Sequence, residues 1–217
     1  IPDNFKINFI NEDFLLFGRN GLFSTENTHY NIVVGNPPFG KLTDNENLLI
    51  EYKKNKRNSR TNNLFSFFLE KAISHADTVA LIIPKSFLST PEFNDTREYV
   101  AEFAIEKITD YGERGFKGVK IETISLIINT KKKGVDNQTL VESYVKNEIG
   151  FKKQKYICSS EFPYWLVYRD TFFDNVASKL KFGVFEAYRD RQITKRITKS
   201  SGRIRVLKSR NIGSNVI

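Results

Sequence analysis

Along the first 130 residues, strand-like and helix-like patterns of apolar and polar positions alternate. Phe5, Ile7 and Phe9 occupy alternate positions before the polar Asn11, Glu12 and Asp13, which is the period of a β-strand. Tyr30 to Val34 is a short apolar run closed by Gly35, the pattern of a buried strand. Leu64, Phe67, Phe68, Lys71 and Ala72 fall at helical spacing within Asn62 to His75, and Thr78 to Ile83 is a second apolar run, stopped at Pro84. A helix with proline in its first turn is expected over Pro91 to Phe103, then strands over Ile105 to Thr109 and Ile121 to Asn129. The alternation predicts an α/β fold, a mainly parallel sheet with helices on both faces. Ligands of such sheets sit beyond the carboxyl ends of the strands, where Asp13 and the residues from Gly35 onward are expected.

After Lys131 to Lys133 the character changes. Thr139 to Val145 reads as one more strand and Phe172 to Phe182 as a helix, and Ile204 and Val206 alternate with Arg203 and Arg205. Thr43 to Asn63 reads as a long, Asn-rich polar loop, a length that in compact domains marks function or disorder. The expected division is a domain over 1–150, a connecting region over 151–185 and a basic segment opening another domain over 186–217.

Composition narrows the class. The chain has 217 residues, 40% hydrophobic with 19 Phe, enough for a packed core and too apolar for a disordered chain. The single Cys158 excludes an internal disulfide framework and suits a reducing compartment. No apolar run approaches the roughly 20 residues of a membrane span, so no membrane partner is expected, nor is a secretory signal seen. The chain opens at Ile1 and contains no Met, and is expected to be a piece of something longer.

The net charge of +9 is concentrated in two places. Arg189 to Ile217 holds nine Lys/Arg against Asp190 alone, and Glu51 to Arg60 holds Lys53, Lys54, Lys56, Arg57 and Arg60 against Glu51. A near-neutral body with two basic segments fits a polyanion held at two points; solvated surface is the plainer alternative. His29 and His75 have no partners at metal-ligand spacing, so no metal is expected.

The segment Asn36-Pro37-Pro38-Phe39, at the exit of the Tyr30 to Val34 strand, carries the clearest chemistry. Two prolines remove two backbone donors and fix φ, leaving a rigid loop that offers carbonyl oxygens. Asn36 adds a side-chain acceptor, so the corner is able to accept both hydrogens of a planar amino group and turn its lone pair outward. Phe39 supplies a flat face for a ring. The alternative is a simple strand-ending turn.

These residues resemble the γ-type N(6)-adenine DNA methyltransferases of bacterial restriction-modification systems, in which an Asn-Pro-Pro-aromatic corner holds the target amine. Asn11-Glu12-Asp13-Phe14-Leu15 is similar to the family's acidic motif, and Asn63 to Ala72 to the helix that walls the cofactor pocket. Leu81 to Phe87 resembles the Pro-x-x-Phe strand segment, and Gly115 to Thr123 the late motif whose aromatic, here Phe116, packs on the flipped base.

The resemblance implies a Rossmann-like class I S-adenosylmethionine-dependent methyltransferase fold, with Asn36, Pro37, Pro38 and Phe39 catalytic and Asp13 and Phe14 binding the cofactor. It implies stacking of the target base on Phe39 and Phe116. Lys53, Lys54, Lys56, Arg57, Arg60, Arg203 and Arg205 are then expected at phosphates of double-stranded DNA. The family's glycine-rich cofactor loop and ribose-binding acid have no counterpart in these residues, and 186–217 reads as the start of a target-recognition domain. A bacterial cytoplasmic location and a restriction endonuclease, fused or as a partner, follow from the same resemblance. A protein-glutamine or ribosomal-RNA methyltransferase with a similar corner, and a non-catalytic DNA-binding module, remain the alternatives.

Overall fold

The computed structural model describes residues 6–17, 29–115, 120–181, 184 and 201–203. The chain divides into two compact units, residues 1–170 and 171–217. Within the first, a six-stranded sheet runs in the order β1-β2-β4-β3-β5-β6. Its strands are β1 (Tyr30–Gly35), β2 (Ala76–Pro84), β3 (Phe103–Gly112), β4 (Thr123–Lys133), β5 (Gln138–Ser143) and β6 (Glu148–Lys153). The helices of this unit are α1 (Glu46–Lys53), α2 (Leu64–His75), α3 (Asn94–Ala101) and the short α4 (Gln154–Ile157). In the second unit α5 (Thr171–Ala177) covers the front half of the helix expected over Phe172 to Phe182. The alternation at Ile204 and Val206 lies outside the described residues.

The α/β alternation expected from the sequence is present, but the sheet is mixed rather than mainly parallel: three of its five strand pairings are antiparallel, with β4 and the edge strand β6 reversed. β1 pairs parallel with β2 and β3 parallel with β5, whereas β4 runs antiparallel between β2 and β3. The reason lies in the connections. β1 reaches β2 through α1 and α2, the long crossover that parallel strands need. Between β3 and β4 stand only residues 113–122, rich in Gly and charge and without helical periodicity, so the chain turns straight back. The expected Pro91 to Phe103 helix divides into a 3-10 turn, Pro91–Phe93, followed by α3, and Phe103 opens β3 instead. Residues 6–10 are exposed and form no strand, in contrast to their alternation.

β2, β3 and β4 form the buried centre. Val79, Leu81 and Ile83 of β2, Ile105 and Ile108 of β3, and Ile124, Leu126 and Ile128 of β4 are all buried in one core. α2 presents Phe65, Leu69, Ala72 and Ile73 to it. Phe65 meets Phe93 with ring centroids 4.8 Å apart, and Phe87 meets Trp165 edge-on at 5.4 Å. Aromatic pairs of this kind contribute about 0.5–1.5 kcal/mol beyond their burial.

β1 is the exception to the buried-strand expectation. It lies at the sheet edge, paired only with β2 among the described residues, and leaves Ile32 62% and Val34 74% exposed.

Candidate active site

The Asn36-Pro37-Pro38-Phe39 segment leaves β1 at its carboxyl end, as expected from the strand pattern. Gly35 packs closely on β2: a Cβ there would stand 3.2 Å from the Leu81 side chain, which would have to shift by a few tenths of an ångström. Asn36 and Pro38 are exposed, Pro37 is buried and Phe39 half-buried. The segment beyond is stitched to the start of α2. Leu64 N donates to Gly40 O at 3.0 Å, Leu42 N donates to Asn62 O at 3.0 Å, and Lys41 bridges Asn63. Asn63 is itself buried, and its side-chain oxygen has no hydrogen-bond partner among the described residues.

A second turn faces this corner. Asp13 opens a helical turn in which Leu16 N and Phe17 N donate to Asp13 O at 3.1 and 2.8 Å. Its Oδ1 accepts from Leu15 N at 2.8 Å, a cap made with its own turn. Its Oδ2 accepts a bond from the Tyr52 hydroxyl. The carbonyl end of the turn is held by Lys71 of α2, whose buried Nζ donates to Phe17 O at 2.5 Å and Leu15 O at 3.3 Å. Phe14 projects from this turn and stacks on Phe68 of α2, centroids 5.1 Å apart at 24°. A small second core of Leu15, Tyr52 and Phe67, flanked by Leu48, Leu49 and Phe68, lies beneath.

The two turns share a cleft of about 200 Å³ lined by Phe14, Val33 to Pro38, Phe68, Ala72 and Leu81. A neighbouring cleft of about 350 Å³ continues past Phe14 to Glu12, Lys71 and His75. Phe14, Asn36, Pro37 and Pro38 therefore come together around one cavity, whereas Phe39 and Asp13 lie outside its lining. Sequence reasoning missed Tyr52 and Lys71 as supports. Lys71 carries a signal, a cation inside the apolar stripe of α2; Tyr52 carries none, because it lies 39 residues from Asp13.

The basic segment folds into more than a loop. Residues 46–53 form α1, capped by Asn45, whose side chain accepts from Leu48 N at 3.0 Å. Lys53 closes that helix, with Lys54 exposed and Lys56 half-buried behind it. The Arg57 guanidinium pairs with Glu102 and stands 4.3 Å over the Tyr99 ring. Arg60 Nε donates to Asp95 Oδ2 at 3.0 Å, with a second bond from its Nη2. Arg203 is exposed in the second unit, and Phe116 and Arg205 lie outside the described residues. No helix among the described residues is long and apolar enough to cross a membrane.

Solved structures similar to this chain include a modification subunit of a putative type I restriction enzyme from Vibrio vulnificus YJ016, at 17% identity and TM-score 0.47 over 60% of this chain and 28% of that one. The EcoKI M protein aligns at 18% identity and TM-score 0.42, over 56% of this chain and 26% of that one. A putative class I S-adenosylmethionine-dependent methyltransferase from Listeria monocytogenes aligns at 16% identity and TM-score 0.41, over 51% of this chain and 36% of that one. The chain thus spans about a quarter to a third of the length of these proteins. No curated protein matches it. The family model described as Eco57I restriction-modification methylase matches residues 3–116, a span that runs from before the Asp13 turn through the Asn-Pro-Pro corner to the end of β3, and the chain belongs to that family.

Proposed function

We propose that this chain carries the target-base half of a site-specific DNA methyltransferase acting on the exocyclic N(6) amine of a flipped adenine, the modification component of a restriction-modification system. The observation that carries the reading is the single cleft shared by Phe14 and the Asn36-Pro37-Pro38 corner. It sets an apolar ring wall beside backbone and side-chain acceptors, at the carboxyl end of β1 where α/β sheets bind their ligands.

The residues fit the adenine end of S-adenosylmethionine. Asp13 offers an exposed carboxylate acceptor and Phe14 a flat apolar ring, on adjacent positions of one rigid turn. When bound, that cofactor supplies an electrophilic methyl group. The chain's own part is to hold the amine. Asn36 Oδ1 and the Pro37 carbonyl accept its two hydrogens, which draws the nitrogen lone pair out of conjugation and aims it into the cleft. No strong base is required before attack, and orientation of this kind is worth ~7–11 kcal/mol. Extruding the base costs a few kcal/mol, offset by about 1–3 kcal/mol for each aromatic it stacks on, the roles assigned to Phe39 and Phe116. Lys53, Lys54, Lys56, Arg57, Arg60, Arg203 and Arg205 supply phosphate contacts; Arg57 and Arg60 would exchange their carboxylate partners for phosphates. Residues 1–150 act as the catalytic domain, 151–185 as the connector and 186–217 as the start of target recognition, with a nuclease in the same protein or a partner.

The test is to incubate the full-length protein with S-adenosylmethionine and mixed-sequence DNA and identify modified nucleosides by mass spectrometry. N(6)-methyladenine that disappears in Asn36→Ala, with DNA affinity retained, is the expected result. A methylated protein or RNA in its place, or an Asn36→Ala variant of full activity, refutes the assignment.

A further inference from the structure

α1 lies between the corner and α2 in sequence, and the proposed mechanism gives it only charge. Its last turn contains Tyr52, 8% exposed, with its ring packed in the small core of Leu15 and Phe67. The hydroxyl is the one polar atom of that side chain, and it donates to Asp13 Oδ2. With Leu15 N on Oδ1 at 2.8 Å, both oxygens of the Asp13 carboxylate are fixed by groups that belong to different elements. A carboxylate otherwise rotates about its χ angles, and an exposed one does so freely. Here its remaining lone pairs point in one set of directions.

From this geometry we infer that Tyr52 is a positioning residue for cofactor recognition: its hydroxyl orients the Asp13 carboxylate to accept the exocyclic amine of the cofactor's adenine. The inference rests on the reading of Asp13 as a cofactor residue. A preset acceptor gains affinity because the ordering is done before binding, and it rejects a ring that lacks the donor because a held acceptor is then left unpaired. Burial, followed by the hydrogen bond to Asp13, pushes the Tyr52 hydroxyl up to about 12. It therefore stays a donor throughout the working pH range, and adenine recognition carries no tyrosine titration below about pH 10, the range of a free Tyr.

The test uses the full-length protein and two product-like ligands, S-adenosylhomocysteine and S-inosylhomocysteine, which differ at the amine. Calorimetric titration gives Kd for each, and thermal melting reports folding. Tyr52→Phe keeps the ring and removes only the oxygen. It is expected to weaken S-adenosylhomocysteine binding about five- to tenfold while changing S-inosylhomocysteine binding less than twofold, so that discrimination falls. In an Asp13→Ala background, which removes the acceptor, the same change is expected to add nothing. Asp13→Ala separates the layers. If Asp13→Ala leaves the S-adenosylhomocysteine Kd unchanged, the cofactor reading of Asp13 fails. If Asp13→Ala weakens binding and Tyr52→Phe does not, or if Tyr52→Phe weakens both ligands equally, the positioning role is refuted.

Discussion

Asn58 is fully buried in the turn that follows α1, and its replacement gives a sharp test of how the basic segment is held. Its Nδ2 donates to Glu92 O at 2.8 Å and to Thr96 Oγ1 at 2.9 Å, and its Oδ1 accepts from Arg60 N at 3.2 Å. Asn58→Ala removes all three bonds. Thr96 keeps Ser66 at 2.7 Å, but the Glu92 carbonyl and the Arg60 amide lose the partner Asn58 gave them. A neutral hydrogen bond contributes about 1 kcal/mol net, and a buried group left unpaired costs about 1–3 kcal/mol. The two groups left unpaired give a cost of about 2–6 kcal/mol, or a fall in Tm of about 4–24 °C for a domain of this size. Asn58→Asp is the isosteric control. It places a carboxylate oxygen against the Glu92 carbonyl and is expected to be at least as damaging at pH 7. A buried acid of this kind has a raised folded pKa, so stability is highest at low pH and is lost as pH rises. The Asp variant should therefore regain ground near pH 4, where the protonated acid again donates, while the Ala variant does not. Urea unfolding followed by circular dichroism measures both. Variants within about 0.5 kcal/mol of wild type at pH 7 would refute the claim that this residue ties the segment down.

Three further outcomes are expected elsewhere in the molecule. Asp110 is buried, yet its carboxyl is held below the usual carboxylate range: burial pushes it up, and the Tyr168 hydroxyl, Lys85 Nζ at 2.9 Å and Gly112 N at 2.9 Å outweigh that. A depressed folded pKa gives stability that is present above the unfolded value and lost as pH falls through the folded one. Asp110→Asn should thus destabilise at pH 7, with the gap from wild type narrowing below about pH 4, the range of a free Asp, in denaturant titrations across pH. Burial pushes the Cys158 thiol up, so alkylation by iodoacetamide at pH 8 should lag far behind a free thiol and recover in urea; equal rates in native buffer contradict the packing. Replacing Lys53, Lys54 and Lys56 with Gln should flatten the log–log salt dependence of DNA binding by about 0.9 for each phosphate no longer neutralised, and an unchanged slope removes these residues from the interface.

Much of the fold is legible in the sequence because single elements are self-consistent. α2 shows itself through the spacing of Leu64, Phe67, Phe68 and Ala72, and β2 through its apolar run to Pro84. Features set by partners distant in sequence are not legible. Gln154 reads as an ordinary polar residue after β6, but it is buried and bonds Ile105 N at 2.7 Å and Phe103 O at 2.8 Å where the β3–β4 register shifts. α1 is hidden because it is only eight residues long and lies in an Asn-rich polar stretch, although Asn45 caps it and Leu48, Leu49 and Tyr52 give it an apolar face. β1 reads as buried because its composition is apolar; its exposure depends on which neighbour stands at the sheet edge. In the candidate site, the corner's acceptors follow from the chemistry of Asn and Pro alone. The bond from Tyr52 to Asp13 spans 39 residues, and no local pattern encodes it.

On the proposed function, transfer depends on the distance between the corner and the Asp13 turn, and one helix spans the two. α2 meets the corner segment at its first residue, where Leu64 N donates to Gly40 O, and meets the Asp13 turn two turns later, where Lys71 binds Phe17 O. Between these points one face, with Phe65 and Leu69, is locked into the main core, and another, with Phe67 and Phe68, supports the small core under Phe14. Seven residues of α-helix fix the rise between the two attachments at about 10 Å, with little freedom to stretch. Displacements of about 1 Å between reacting groups cost on the order of 100-fold in rate. If the proposed function holds, the helix acts as a ruler between the two turns, and its two attachments are then expected to affect cofactor binding as well as stability. Lys71→Met, similar in length and apolar, isolates the second attachment: the cation inside the apolar stripe is removed while the packing volume is kept. Losing its bonds to Leu15 O and Phe17 O loosens the turn without touching the corner. For the full-length protein, cofactor affinity should fall while DNA affinity and the salt slope stay at wild-type values. A variant that loses DNA binding in step with cofactor binding would mean that the two attachments are not independent, and that the helix does not work as a ruler.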